Sequence, residues 1–429
     1  LIHFIFETIE GEMFRNFTDC HDLNDSGLPR FNVSPLMLEL LYIKNENIEF
    51  NFSSDIPEGH YIIPTSVGHS PRYWTGNNKY SDWKSIFYYL NERYYQDLKN
   101  GKAFLLLDQS HEGYHCDWLF EWFHTECSNY QISPSQIIYV TGDLTSNKKY
   151  NTWADYKKLN KRLKIVPYAH FELAISRIAR EKSNSLTSKN HMDYKRKNSS
   201  STRTFNCLQK RPRNHRMWLF LKLFENNLLQ HGFNSMNYFP QRQSYLEGST
   251  IAADDYAKIV ELLPQVPPND NDENLSEFSS QDCGKYIQRL NEDIMIRSWI
   301  TIVSESSFGD SENTCFLSEK TFKPIACAHP FIIFGNKYSL KKLRTLGYRT
   351  FHPFIDETYD ELDTWQRLDA IILQIKKLTS MSYKQKKRFY KNIAPILSYN
   401  QRLLLKRCNA TPEFILEKFR LIDKKDNNV

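Results

Sequence analysis

The chain has 429 residues, 56 Lys and Arg against 50 Asp and Glu for a formal charge of +6, and 40% hydrophobic and 14% aromatic residues. That is more chain than one hydrophobic core takes, so two domains are expected, and the apolar content excludes a disordered chain, which could not offset its ordering entropy. Glycine is scarce at 14 residues, and the closest pair is Gly68 and Gly76, which excludes a glycine-rich phosphate loop, a dinucleotide fingerprint and a G-x-S-x-G nucleophile elbow.

The eight cysteines contain no C-x-x-C pair, and several stand in apolar runs such as FNCLQ and PIACAHPF. They read as reduced, buried thiols of an intracellular protein, so a cytoplasmic location is expected. The longest uncharged apolar stretch, Pro324 to Gly335, is shorter than the ~18 residues that suggest a membrane span. The opening LIHFIFETIE has neither the basic flank nor the cleavage site of a secretory leader.

In chain order, GKAFLLLDQS from Gly101 is a strand-length apolar run. An aromatic-rich helical segment follows, then a second strand in SPSQIIYVTGD. Strand, helix and strand with tight connections predict a parallel sheet. Residues 182–203 turn to Ser, Asn, Lys and Arg, the composition of a linker or mobile loop. A second α/β pattern opens with TFNCLQ, and Met217, Leu221, Phe224 and Leu228 then recur at helical spacing.

Gln265 to Asp282 holds five acids and no base and reads as an exposed loop. WITIVSES predicts a strand, FLSEKTFKPIACA a helix and PFIIFG the next strand. Leu368, Ile371, Ile372 and Ile375 mark a late helix, and a basic stretch runs from Lys384 to Lys391. The expected organisation is an N-terminal α/β domain over 1–175, a basic Ser/Asn-rich linker or loop over 176–203, a C-terminal α/β domain over 204–380 and a helical extension over 381–429. The fold class expected is two Rossmann-like domains facing a cleft, where ligands bind outside the carboxyl ends of the strands.

Three segments carry candidate chemistry. KRPRNHR, Lys210 to Arg216, lies between a predicted strand and the start of a predicted helix, where unpaired N–H groups and the dipole attract anions. Arg213 and Arg216 could add bidentate contacts to a phosphate. Residues 182–216 hold ten Lys or Arg and one acid, so a solvated basic loop or nucleic-acid contact is the other reading. In SESSFGDSENTCFLSEKTFKPI, Glu305 ends a strand and Glu319 and Lys320 stand at the start of a helix. Pro324 suggests that this helix begins late, with Thr321 as its N-cap. Carboxylates there can accept sugar or ribose hydroxyls, and the lysine can neutralise a diphosphate; the plainer reading is an acid favoured by the helix dipole beside a surface lysine.

Here FLSEKTFKPIACAHPFIIFGNKYSLKKLRTLGYRTF resembles the C-terminal signature of a glycosyltransferase-like family of aquatic viruses and bacteria. More distantly it is similar to the Glu-Lys donor motif of alpha-1,3-fucosyltransferases, which have the GT-B fold. FNCLQKRPRNHRMWLF resembles the start of the same donor domain, where an arginine meets the nucleotide diphosphate. The resemblance spans residues 204–375 in outline and is close only over the two quoted segments, and Glu305 is followed by Ser306 and Ser307 where the fucosyltransferases have Glu-Asn-Ser. It implies a transferase that takes a sugar from a nucleotide-sugar donor to a glycan or other hydroxyl acceptor. The donor would meet Arg213, Arg216, Glu305, Glu319 and Lys320.

The third segment, DQSHEGYHCDW, contains His111-Glu112-Gly113-Tyr114-His115 and satisfies the H-E-x-x-H pattern of zinc hydrolases. Gly113 and the polar lead-in of Gln109 and Ser110 count against a zinc helix. A strand-end loop in which Glu112 serves as general base is the alternative, beside that of an ordinary solvated loop. The basic stretch around Phe389 and Tyr390 could contact nucleic acid, though a polar helix face is the simpler reading. The only D-x-D, Asp270-Asn271-Asp272, lies in the acidic loop. Metal-independent transfer is therefore expected, with no cofactor beyond the nucleotide sugar as co-substrate.

Overall fold

The computed structural model describes residues 2–6, 48–52, 56–66, 87, 90, 92–113, 117–181, 187–199, 202–209, 213–235, 258, 261, 290 and 292–423. It divides into two units, Leu1–His170 with Asn409–Val429, and Phe171–Cys408. Each is an α/β unit built on a parallel sheet, the class expected.

In the first unit six strands run in the order β2 (Ile48–Phe52), β1 (Ile2–Phe6), β3 (Tyr61–Ser66), β4 (Ala103–Gln109), β5 (Ile137–Thr141) and β6 (Lys164–Pro167), every described pairing parallel. β4 reads AFLLLDQ and is buried at every position, because a parallel strand covered on both faces carries a continuous apolar run rather than an alternating one. One face, with Tyr61, Ile63, Leu105, Leu107, Ile137 and Tyr139, shares a core with Tyr94 and Leu98 of α1 (Glu92–Lys99). Leu119, Phe120 and Phe123 of α2 (Asp117–Asn129) join the same core. The rings of Phe123 and Tyr139 lie 5.4 Å apart. Each such side chain contributes about 1.5–3 kcal/mol by leaving water. The helix predicted between the two apolar runs is α2.

After α3 (Ser146–Tyr156) and β6, α4 (His170–Glu181) leads into the second unit. There the segment expected to be a linker is helical in part, since α5 spans Ser188–Lys197 with Thr187 as its N-cap, the side chain accepting from Asn190 N. His191 and Lys195 are buried, and Lys195 Nζ donates to Ile296 O at 2.8 Å. A polar composition had suggested solvent, but two of its side chains turn inward.

Four described strands form the second sheet in the order β10 (Phe331–Phe334), β9 (Ser298–Ser304), β7 (Arg203–Leu208) and β8 (Gly232–Ser235), again parallel. β9 and β10 are buried throughout, as apolar runs of strand length predict. The helix after β7, α6 (Asn214–Glu225), buries Met217 and Leu221, but also Leu219, Phe220 and Leu223. Phe224 of the expected stripe faces solvent instead. α7 (Glu292–Ile296) precedes β9. α8 (Glu319–Ala326) connects β9 to β10, and α9 (Ser339–Thr345), α10 (Thr364–Ser380) and α11 (Tyr383–Asp423) complete the chain. Leu368, Ile371, Ile372 and Ile375 are buried on α10 at the spacing expected. Just beyond the C-cap of α9, Gly347 has a φ of 92°, a left-handed conformation that glycine adopts without strain.

The order of strands locates the site. β7 pairs with β8 on one side and β9 on the other, so the connection leaving β7 and the connection leaving β9 diverge from adjacent strands. Such a switch point opens a crevice at the carboxyl ends of the two strands, where open α/β sheets bind ligands. No helix among the described residues is long and apolar enough to cross a membrane.

Candidate functional site

Two loops flank this crevice, one from β7 into α6 and one from β9 into α8. Glu305 follows β9 and is fully buried. Its Oε1 accepts from Ser318 N at 3.1 Å and Thr321 Oγ1 at 2.6 Å. Its Oε2 accepts from Ser306 N at 3.0 Å and Ser318 Oγ at 2.6 Å. A buried carboxylate is stable only when hydrogen-bonded this fully, and its place at the start of α8 adds favourable interaction with the helix dipole. The acceptor positions expected to meet ligand hydroxyls are thus taken by α8 and Ser306. Gly335 permits this packing, because a Cβ there would stand 3.0 Å from Glu305 Cβ.

The N-cap of α8 is Ser318, not Thr321, and the helix begins at Glu319. Ser318 Oγ accepts from Lys320 N at 3.3 Å. Pro324 consequently falls in the second turn rather than the first, where its missing N–H leaves one helical bond unmade. Sequence reasoning placed the start too late because it weighed the proline and not the clamp that Glu305 supplies from a distant strand.

Lys320 Nζ donates to Ser306 Oγ at 3.0 Å and pairs with Glu319 Oε1 at 2.5 Å. Burial opposes the charge on Glu319, but Lys320 and Lys323 outweigh it and hold the carboxyl down at about 2. Lys323, buried one turn along the same helix, has its ammonium pushed down to about 8 by burial, against the attraction of Glu319. Sequence reasoning missed Lys323; the Glu-x-x-x-Lys spacing, which puts both residues on one helix face, is the signal that could have found it.

From the other loop, Arg213 is the N-cap of α6 and exposed. It has no acceptor atom with which to cap the helix, and its Nη1 donates to Ser306 O. Arg216, expected to face a phosphate, is buried and donates through Nη2 to Glu305 O at 3.2 Å and Ser304 O at 3.4 Å. It fastens α6 to the end of β9. His215 does similar work: Nε2 lies 3.0 Å from Glu305 O and the ring stacks on Phe308 at 4.6 Å, which makes Nε2 the protonated nitrogen. Burial, and then the neighbouring Arg216, push its pKa down to about 3, so it stays neutral. Buried Arg367 of α10 anchors the far end of the loop, donating to Asp310 Oδ1 at 2.8 Å and to Gly335 O. No local pattern in the sequence announces that contact.

Of the predicted residues, Arg213, Arg216, Glu305, Glu319 and Lys320 therefore meet around Ser306. Lys210 and Arg211 of the basic motif lie outside the described residues, as does the acidic loop with its D-x-D. Glu112 stands in the first unit, half-buried beyond the carboxyl end of β4. Its N–H bonds Gln109 O at 3.0 Å, and Gly142 N bonds Glu112 O at 3.0 Å. These bonds fold residues 109–112 into a turn, which corrects the zinc-helix alternative over its described part; His115 lies outside the described residues. Among the described residues no group of three or more His, Cys, Asp or Glu is placed to hold a metal ion.

The nucleic-acid alternative also loses residues. Phe389 and Tyr390 are buried on α11, Lys386 Nζ donates to Thr204 Oγ1 at 3.0 Å, and Lys195 and Arg216 are interior.

No family model and no curated protein matches the chain. Among solved structures it is similar to the α,α-trehalose 6-phosphate synthase of Burkholderia multivorans, at 10% identity and a TM-score of 0.41 over 90% of this chain and 73% of that one. It is likewise similar to the N-terminal domain of the Candida albicans trehalose-6-phosphate phosphatase, at 10% identity and a TM-score of 0.42 over 98% and 96%. A third is the UDP-GlcNAc 2-epimerase of Neisseria meningitidis, at 10% identity and a TM-score of 0.34 over 98% and 99%.

Proposed function

We propose that the chain is a nucleotide-sugar-dependent glycosyltransferase of the GT-B type. The observation that carries this reading is the convergence of Arg213 and Lys320 on Ser306 at the switch point between β7 and β9. Two cations and an uncapped helix start at the carboxyl ends of parallel strands suit a diphosphate, in a chain whose glycines cannot build a phosphate loop. The Glu319-Lys320 pair, in the position of the fucosyltransferase-like donor motif, adds to it.

In the proposed reaction the bond from the anomeric carbon to the diphosphate oxygen breaks, and a bond to an acceptor hydroxyl oxygen forms. The leaving nucleotide gains one negative charge, which Arg213, Lys320 and the start of α6 stabilise, so this step asks for no metal. The acceptor's hydroxyl proton goes to a base, a part we assign to Glu112. Glu305 and Arg216 act as positioning residues: the first holds α8, the second holds α6, and together they set the spacing of Arg213 and Lys320. The donated sugar is a hexose or fucose, the acceptor is a glycan or another hydroxyl compound, and the setting is the cytoplasm.

The test is a thermal-shift screen with UDP-, GDP-, CDP- and ADP-sugars, repeated on Lys320→Ala and Arg213→Ala. One nucleotide class is expected to stabilise the wild type and to lose most of that effect in both variants. Absence of any shift in the wild type, confirmed by calorimetric titration, sinks the proposal.

A further inference from the structure

α11 carries a charge pattern that the donor site does not use. Between Asp369 and Glu413 the chain has ten Lys or Arg and no acid, where its average composition would place about five. The helix sorts these residues by face. Phe389, Tyr390, Ile393, Leu397 and Leu404 are buried at helical spacing, and Tyr390 packs on Trp299 and donates to Ala328 O at 3.2 Å. On the opposite side Lys384, Lys387, Arg388 and Lys391 recur at i, i+3, i+4 and i+7, and all four are exposed. Arg402 and Lys406, also exposed, continue the same row about three and four turns beyond Lys391. From Lys384 to Lys406 the row is about 33 Å long at the rise of an α-helix.

Two bases of the same stretch that turn inward have partners: Lys386 Nζ donates to Thr204 Oγ1 at 3.0 Å, and Arg407 Nε to Glu172 Oε1 at 3.0 Å. Among the described residues, none of the six outward cations is in an ion pair. Like charges one turn apart, as in Lys384 with Arg388, Lys387 with Lys391 and Arg402 with Lys406, destabilise a helix, and an ordinary solvated face relieves this with interspersed acids. An acid-free row keeps its repulsion unless a polyanion covers it.

We propose that this face of α11 is a docking surface for an anionic lipid bilayer. Shape and chemistry select that occupant. The cations run along the helix axis on its exposed side, so they can meet a plane of negatively charged headgroups together. A nucleic acid asks for an aromatic to stack a base or a helix free to enter a groove. No aromatic side chain stands in the row, since Phe389 and Tyr390 are buried, and α11 is packed along its other face. With its apolar residues so occupied, the helix associates by charge and does not insert. Lys386 and Tyr390 bring the start of α11 to Thr204 and Trp299, at the amino ends of β7 and β9 and therefore at the opposite end of these strands from the donor crevice.

The experiment is co-sedimentation of the whole protein with vesicles of phosphatidylcholine alone and with vesicles containing about 30% phosphatidylserine, at salt from about 50 to 500 mM. Binding is expected to the mixed vesicles only, and to fall steeply with salt. The triple variant Lys384→Ala, Lys387→Ala, Lys391→Ala should bind about 100-fold more weakly, each cation near an anionic surface accounting for roughly a fivefold change. A control, Lys148→Ala, Lys157→Ala, Lys161→Ala, removes the same charge from exposed positions of the first unit and should stay within about twofold of wild type. Alanine is a good helix former and its introduction removes repulsion, so the α11 variant should fold without loss of thermal midpoint.

No binding of the wild type to the mixed vesicles at low salt overturns the proposal, and this result depends on no variant. Equal weakening in the two triple variants also overturns it, by reducing the row to its share of the net charge. Tighter binding of a short DNA duplex than of mixed vesicles at the same salt identifies a nucleic-acid surface instead and overturns it as well. Each of these outcomes leaves the donor-site reading untouched, because that reading is tested by nucleotide-sugar binding.

Discussion

Gly335 lies against Glu305 so closely that a side chain at Gly335 would meet Cβ and Cγ of the carboxylate at 3.0 and 3.1 Å. The end of β10 thus determines where the acid at the end of β9 can sit. Gly335→Ala is expected to destabilise the protein by about 1–3 kcal/mol, the usual cost of overpacking a close contact. Chemical denaturation monitored by tryptophan fluorescence checks it. Unchanged stability would mean that Glu305 has room to move.

Glu305 itself accepts from Ser306, Ser318 and Thr321, so its removal leaves buried donors without acceptors. Glu305→Ala is expected to cost about 3 kcal/mol or more, given the strength of hydrogen bonds to a charged group and the penalty for orphaned donors. Loss of nucleotide-sugar affinity should accompany it through misplacement of Lys320. If Glu305 instead bound donor hydroxyls, Glu305→Ala would keep wild-type stability and lose affinity alone. Measuring both quantities on one preparation separates the two.

Acid should unfold the second unit early. Burial, followed by the charge of neighbouring Lys195, pushes the pKa of His191 down to about 3. His215 is held at about 3 by burial and then Arg216, and His329 lies well below its ordinary value for the same first reason. Each binds a proton more readily when unfolded, so the stability these groups contribute is complete above their ordinary pKa of about 6.5 and is lost as pH falls toward their folded values. For three such groups the loss approaches about 4 kcal/mol per pH unit once all are protonated in the unfolded chain. Denaturation midpoints between pH 7.5 and 4.5 should fall steeply. A level profile would show that these histidines titrate normally.

Much of this architecture can be read directly from the chain. The runs AFLLLDQ, SWITIVS and FIIF are apolar at strand length, and a parallel strand covered on both faces needs nothing else. β6 and β8 are short and only partly buried, so nothing in KIVP or GFNS announces them. α5 was hidden by composition: Lys195 and His191 read as solvent-facing, yet Lys195 reaches the carbonyl of Ile296 and lies 5.3 Å from the ring centre of Tyr390. Local pattern cannot reveal a partner supplied from across the chain.

The site shows the same division. Arg213 and Lys320 could be picked out because a cation after a strand and at a helix start has an electrostatic reason to be there. Their roles could not be separated from those of Arg216 and Glu305, since charge type and position look alike whether a side chain faces a ligand or a carbonyl. Only burial distinguishes them, Arg216 and Glu305 being interior while Arg213 is exposed.

Arg213 and Lys320 bear the central claim, and calorimetric titration of nucleotide sugars into wild type, Arg213→Ala and Lys320→Ala tests it most directly. Binding of one nucleotide class to the wild type is expected, weakened about 10- to 100-fold by either substitution, in line with the loss of one charge-assisted contact of about 1.5–3 kcal/mol. The thermal midpoint of Arg213→Ala should shift by only a few degrees, since that side chain is exposed. Equal affinity in all three proteins, or no binding by the wild type, would contradict a donor diphosphate held at the switch point between β7 and β9.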